Sequence, residues 1–235
     1  MLEKLNIENI LFLDIETVPM FSEYQEQPES LKNLWNKKAE YLKRKEEDTA
    51  ETLYERAGIY AEFGKIICIS VGFCRNNEFR LKSFYGDNEK ELLQEFTSLL
   101  NKYYNPREHL LCGHNAKEFD FPYISRRILI NGLSIPEILN TAGKKPWEVN
   151  HLDTMDLWRF GDYKSYTSLE LLTTIFNIPT SKDDINGSDV ARVYWKEKNI
   201  ERIAKYCEKD ALNVAQLFLR FQGKPLIKQE QIIYV

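Results

Sequence analysis

Acidic residues fall in this chain where an apolar run ends or a helix begins, and their spacing suits metal chemistry. Asp14-Ile15-Glu16 closes the short run Ile10-Leu11-Phe12-Leu13. Side chains alternate along a strand, so two carboxylates two residues apart project together. They do so at the carboxyl end of the strand, where open α/β sheets commonly bind ligands. Two adjacent anions force one to take up a proton unless a cation lies between them. A strand end with ordinary solvated acids carries the same letters. Near the other terminus stands Tyr206-Cys207-Glu208-Lys209-Asp210. Tyr206 and Asp210 are four apart on a helical pattern and share one face, although a tyrosine at the edge of a core beside a solvated aspartate would look the same. Between these lies Gly113-His114-Asn115-Ala116-Lys117-Glu118-Phe119-Asp120-Phe121-Pro122. Asn115 and Asp120 sit there at a strand-to-helix junction. A loop cap and a first-turn acid favoured by the helix dipole are the plainer reading of each alone.

The elements that must position these groups follow from periodicity. Residues 10–15 read as a buried central strand, 64–74 and 78–85 as a hairpin joined at Arg75-Asn76-Asn77, and 109–113 as a further strand. A weaker strand is expected within 151–157. Asp87 is expected to cap a helix running to about Tyr103, and 117–131 to form another. The final third reads as helices over 168–176, 189–198 and 199–221, the last stopped by Gly223 and Pro225. Residues 21–63, rich in Glu and Lys, read as a helical insertion whose charged stretch is a solvated face. The pattern is mixed α/β, and 1–235 reads as a single domain.

Composition narrows the function. With 43% hydrophobic residues the 235-residue chain can bury a core, and no apolar run reaches the roughly 20 residues of a membrane span. A secretory leader is not expected. Four cysteines (Cys68, Cys74, Cys112 and Cys207) show no CxxC spacing, which disfavours a zinc site and points to a reducing cytoplasm. The net charge of −4 gives no support to tight binding of nucleic acid through a basic whole surface but leaves room for a local grip on a few nucleotides.

Taken together, Asp14-Ile15-Glu16, HNAKEFDFPY and YCEKD resemble the three motifs of the DEDD 3′–5′ exonucleases. The wording DFPYISRR and YCEKDA is most similar to the proofreading domain of family B DNA polymerases, and to stand-alone bacterial proteins related to it. The resemblance runs from about Ile10 to Phe221. It implies an RNase H-like fold, a mixed five-stranded sheet flanked by helices with the insertion after the first strand. Lys205 stands where one branch of the family has histidine, and Tyr206 matches the tyrosine branch. The resemblance further implies that Asp14, Glu16, Asp120 and Asp210 hold two divalent cations, Mg²⁺ or Mn²⁺, with Asp14 bridging them. Tyr206 would orient the attacking water. Thr17 through its backbone, together with Asn115 and Phe119, would seat the terminal nucleotides. The implied substrate is nucleic acid with a free 3′ end, single-stranded DNA before RNA, cut to 5′-nucleoside monophosphates. Asp153, Asp156, Asp183 and Asp184 are expected to be structural or solvated, and Arg126, Arg127 and Lys164 are only general candidates for phosphate contact.

Overall fold

A computed structural model describes residues 2–162, 164, 166–179 and 185–235; Asp183 and Asp184 lie outside the described residues. The strands are β1 (Ile10–Pro19), β2 (Gly64–Arg75), β3 (Glu78–Tyr85), β4 (Leu110–Gly113), β5 (Leu152–Asp153) and β6 (Ile232–Tyr234). They form one mixed sheet in the order β5-β4-β1-β2-β3-β6. β1 and β2 pair antiparallel, as do β2 and β3, whereas β4 runs parallel to β1 and β6 parallel to β3. Asn76 and Asn77 both take positive φ, 52° and 67°, which is what a two-residue hairpin turn demands.

The expected count of five strands is corrected to six. The sixth, β6, has only three residues beyond Pro225 and so carries no readable period in the sequence; it adds to the edge by pairing Phe79 with Ile232. The strand expected within 151–157 shrinks to two residues, because Asp153 turns to cap the next helix, accepting from the amides of Met155 and Asp156 at 2.9 and 3.4 Å.

The helices are α1 (Glu29–Leu42), α2 (Ala50–Leu53), α3 (Glu89–Tyr103), α4 (Asp120–Ile130), α5 (Thr154–Arg159), α6 (Leu169–Ile175), α7 (Val190–Arg192) and α8 (Ile200–Phe221). Residues Val193–Glu197 after α7 are π-helical, not α-helical. The cap of α3 is Asn88 and not Asp87, whose carboxylate instead accepts from the Tyr194 hydroxyl at 2.7 Å.

The pleat of β1 sorts its side chains between two layers. Leu11, Leu13 and Ile15 pack with Leu93, Phe96 and Leu100 of α3 and Ile124 and Ile128 of α4. Ile10 and Phe12 face the other way, onto Ala211, Val214, Ala215 and Phe218 of α8. Ile203, Cys207, Ala211, Val214 and Phe218 recur every three or four residues, so one stripe of α8 lies against the sheet. Full burial of one large apolar side chain is worth about 1.5–3 kcal/mol, so this stripe fixes α8 firmly across the centre of the sheet. The insertion closes on the end of β1: a Cβ on Gly58 would meet the Val18 carbonyl carbon at 2.9 Å, an approach only glycine permits.

Candidate active site

Asp14 and Glu16 continue the face of Ile10 and Phe12, and so point towards α8. Directly after them the β1–β2 register slips: Glu16 pairs with Cys68 but Thr17 with Ile66, leaving Ile67 as an extra residue. The extra residue bends β2 and re-aims its side chains opposite Glu16 and Thr17. On α8 the stripe brings Cys207 against β1, its thiol donating to the Asp14 carbonyl oxygen at 3.3 Å. One turn on, Asp210 projects beside that contact, and the Tyr206 hydroxyl donates to the Asp210 carboxylate.

Ligand-capable atoms of Asp14, Glu16 and Cys207 all lie within 4.8 Å of one another. Asp120 and Asp210 belong to the same electrostatic group. Burial, with repulsion from Glu16, Asp210 and Asp120, holds the Asp14 carboxyl well above the usual carboxylate range. Burial and repulsion from Asp210 and other neighbours, Asp120 among them, do the same to Glu16. Asp120 is 5% exposed and pushed up to about 7, by burial first and by Asp153, while its own amide and that of Ile15 pull it back. The four predicted acids are thus brought together. Burial and the charges of Asp210, Glu16 and Asp14 raise the Tyr206 phenol so far that it stays protonated.

This donor set fits divalent cations. Carboxylates packed closely enough to suppress one another's ionisation regain it when a cation replaces the protons. Oxygen donors suit hard ions such as Mg²⁺ or Mn²⁺. Cys207 is a poor ligand here: it is fully buried, its thiol is pushed far up by burial and by Cys68, and it is spent on the Asp14 carbonyl.

The segment before α4 is held by one carboxylate. Asp153 accepts from the amides of Asn115 and Lys117 at 2.9 and 3.0 Å. This capture, with Asn115 at φ +60°, is why the helix expected from Lys117 begins only at Asp120. The Asn115 side-chain oxygen is buried and has no partner among the described residues, an expensive arrangement that a ligand would relieve. Phe119 packs its ring 5.3 Å from Tyr123 at the edge of the core. The Thr17 hydroxyl donates to Tyr123, whose own hydroxyl reaches the Gly58 carbonyl at 2.7 Å.

Other polar residues of these segments fall elsewhere. Arg127 is buried, with two guanidinium contacts to Glu89 at 2.8 and 2.5 Å and a third to the Ala61 carbonyl, so it is structural. His114 bridges Thr154 and the Thr167 carbonyl at 2.9 and 2.8 Å. Glu208 accepts from Ser83 of β3. Sequence reasoning missed Tyr166, a 66% exposed ring whose phenol feels Asp120, Asp14, Asp153 and Asp210; no spacing signal marked it.

The family model described as "Predicted 3′-5′ exonuclease related to the exonuclease domain of PolB" matches residues 59–228, a span holding Asp120, Tyr206 and Asp210. Among solved structures, the family B DNA polymerase from the hyperthermophilic archaeon Pyrobaculum calidifontis is similar, with a TM-score of 0.52 and 14% identity. The match covers 90% of this chain and 24% of the polymerase, so the chain spans about a quarter of that protein's length. At that identity the likeness is one of fold, the RNase H-like sheet flanked by helices.

Proposed function

Because the chain belongs to the family of predicted 3′-5′ exonucleases related to the exonuclease domain of PolB, we propose that it is a metal-dependent 3′–5′ exonuclease. Its substrate in this reading is single-stranded DNA, from which it releases 5′-nucleoside monophosphates. The observation that carries the reading is the convergence of Asp14, Glu16, Asp120 and Asp210, from three distant segments, into one group in which the charges of Asp210 and Asp120 hold the Asp14 and Glu16 carboxyls above their usual range.

Asp14, Glu16, Asp120 and Asp210 would hold two divalent cations, Mg²⁺ or Mn²⁺, which supply charge to activate a water and to stabilise the attacking and leaving oxygens of a phosphodiester. Tyr206, kept protonated by burial and its acidic neighbours, cannot serve as a base at neutral pH. Its hydroxyl is therefore assigned to holding and orienting the water, anchored by its bond to Asp210. The Thr17 backbone, opposite the bulge, the unpartnered Asn115 oxygen and the Phe119 ring would seat the last nucleotides. Asp153 acts through the backbone, holding Asn115 in the conformation that aims it. Residues 1–235 are read as one exonuclease domain with 21–63 as an insertion, and the four free thiols support a cytoplasmic setting.

The test is release of mononucleotides from 3′-labelled and 5′-labelled DNA and RNA strands with Mn²⁺ or Mg²⁺, with EDTA and Asp14→Ala as controls. Shortening of DNA from the 3′ end, lost in both controls, is expected. Faster loss of RNA would replace the substrate, and no cleavage of either would leave only a nucleic-acid-binding module.

A further inference from the structure

The β1 face that carries Asp14 and Glu16 does not end with them. Val18 follows on the same face, buried with Val193, Tyr194, Ile203 and Cys207. Pro19, the last residue of β1, accepts through its carbonyl from the Trp195 indole N–H at 3.2 Å. At about 3.3 Å per residue, Pro19 lies about 10 Å beyond Glu16 along the strand. Trp195 is therefore tied to the same strand as the carboxylates, within the length of a short oligonucleotide.

Two lysines converge on this indole. Lys65, paired with Val18 across the sheet, places its ammonium 4.9 Å from the Trp195 ring centre and 2.8 Å from the Tyr194 hydroxyl. Lys198 places its own 5.0 Å from the Trp195 ring. Neither lysine has an ion-pair partner among the described residues. The backbone is irregular where it presents them. Residues Val193–Glu197 are π-helical, a form concentrated at functional sites, and Lys198 follows with φ +54°, unusual for a residue with a side chain. Cation–π attraction explains why each ammonium rests on the ring. The Asp87 carboxylate, bonded to the same Tyr194 hydroxyl, helps draw Lys65 in, but neither effect accounts for a second cation, Lys198, on one half-buried indole in a chain of net charge −4. A polyanion with stackable rings would satisfy both features. Single-stranded nucleic acid is bound elsewhere by this combination of aromatic faces and cations that follow the backbone. The position also answers a need: a strand whose 3′ end approaches four carboxylates is repelled by them, and fixed cations nearby offset that repulsion.

We propose that Lys65, Trp195 and Lys198 form a second nucleic-acid subsite that holds phosphates and a base of a single strand upstream of its 3′ end. The proposal rests on the exonuclease reading and deepens it, assigning the site's grip on longer strands to residues outside the carboxylate group.

The test uses the full chain carrying Asp210→Asn, which is expected to hold a strand without cutting it. Binding of 5′-fluorescein oligothymidylates of three and twelve nucleotides is followed by anisotropy across a KCl series with Mn²⁺ present. For the twelve-mer, the slope of log K against log salt is expected to fall by about 0.7 with Lys198→Gln and by about 1.4 when Lys65→Gln is added, one phosphate contact each. The three-mer slope is expected to stay the same. Trp195→Leu, which keeps an apolar side chain against the core, is expected to weaken the twelve-mer about 5- to 150-fold, the range for loss of one stacked base, while Trp195→Phe retains most of the affinity. Thermal melts confirm that each variant is folded. Unchanged slopes in the folded lysine variants, or equal losses on both strand lengths, overturn the subsite. Failure of the chain with native Asp210 to release mononucleotides from either strand overturns the exonuclease reading instead, so the two failures are distinct.

Discussion

Replacing Asp120 by Asn is expected to make the metal-free protein more resistant to rising pH. Asp120 is buried beside Asp153 and within reach of Asp14 and Glu16, and its carboxyl is pushed up to about 7 from an ordinary value of 3.8. The fold therefore favours the protonated form. The stability this group contributes is complete below about pH 4 and is lost as pH rises through about 7. Integrating that linkage between pH 5 and pH 8 gives a loss of about 3 kcal/mol from this one group. Asparagine keeps the shape and an acceptor for the Ile15 amide but has no charge to expose. Urea unfolding in EDTA, followed by tryptophan fluorescence, measures the effect as the difference in extrapolated stability between the two pH values. The native chain should lose about 3 kcal/mol more over this interval than Asp120→Asn does, and Mn²⁺ at pH 8 should restore much of the native chain's loss. Parallel losses in the two proteins, or a variant that loses more, would show that Asp120 is not held against its own ionisation and would remove Asp120 from the electrostatic group on which the proposed metal site rests.

The remaining expectations concern the same architecture. Tyr206→Phe keeps the ring but removes the hydroxyl, so kcat on a 3′-ended strand should fall on the order of 10²-fold, with Mn²⁺ affinity by calorimetry little changed; an undiminished kcat rejects the orienting role. Mn²⁺ affinity should rise between pH 5 and pH 8 and binding should release protons, seen as a dependence of the calorimetric heat on the buffer's ionisation enthalpy, because Asp14, Glu16 and Asp120 must give up protons to bind the ion. Arg127→Met strands the buried Glu89 carboxylate, which also accepts from the Ile66 amide at 2.7 Å and from Asn131. Chemical denaturation should show a loss of about 3–5 kcal/mol, and a near-neutral result would mean that Glu89 is solvated after all.

Much of this site was legible because its parts obey local rules. The period of two in β1 and of 3.6 in α8 put Asp14, Glu16, Tyr206 and Asp210 on defined faces before any contact was known. What periodicity could not convey were features set by single distant partners. Asp153 captures the amides of Asn115 and Lys117, and this delays α4 to Asp120. Arg127 sits on a helix that promises a surface cation, yet Glu89, 38 residues away, draws it inward. β6 is short enough that only the open edge of β3 makes it a strand. The same holds for the pairing of Cys207 with Asp14, which follows from how closely α8 lies on β1 and not from any spacing of cysteines.

These long-range partners are also what make an acidic pocket compatible with folding. Carboxylates held above their usual range by burial and by one another, as Asp14 and Glu16 are, cannot draw stability from the pocket they line. The opposing terms lie just outside it: the apolar stripe of α8 on the sheet, the buried Glu89–Arg127 pair between α3 and α4, and Asp153 with its hold on the strand-to-helix turn. Each fixes an element that supplies an acid, and of the three only Asp153 lies close enough to feel one of them, Asp120. In the proposed reading the charge in the pocket can be matched to a cation and a phosphate, while position is set mainly by groups outside it. This separation explains why the unpartnered Asn115 oxygen and its left-handed backbone are tolerated. The strain is confined to the one turn that two amide hydrogen bonds to Asp153 already restrain, at the place where a bound strand end would complete the hydrogen bonding.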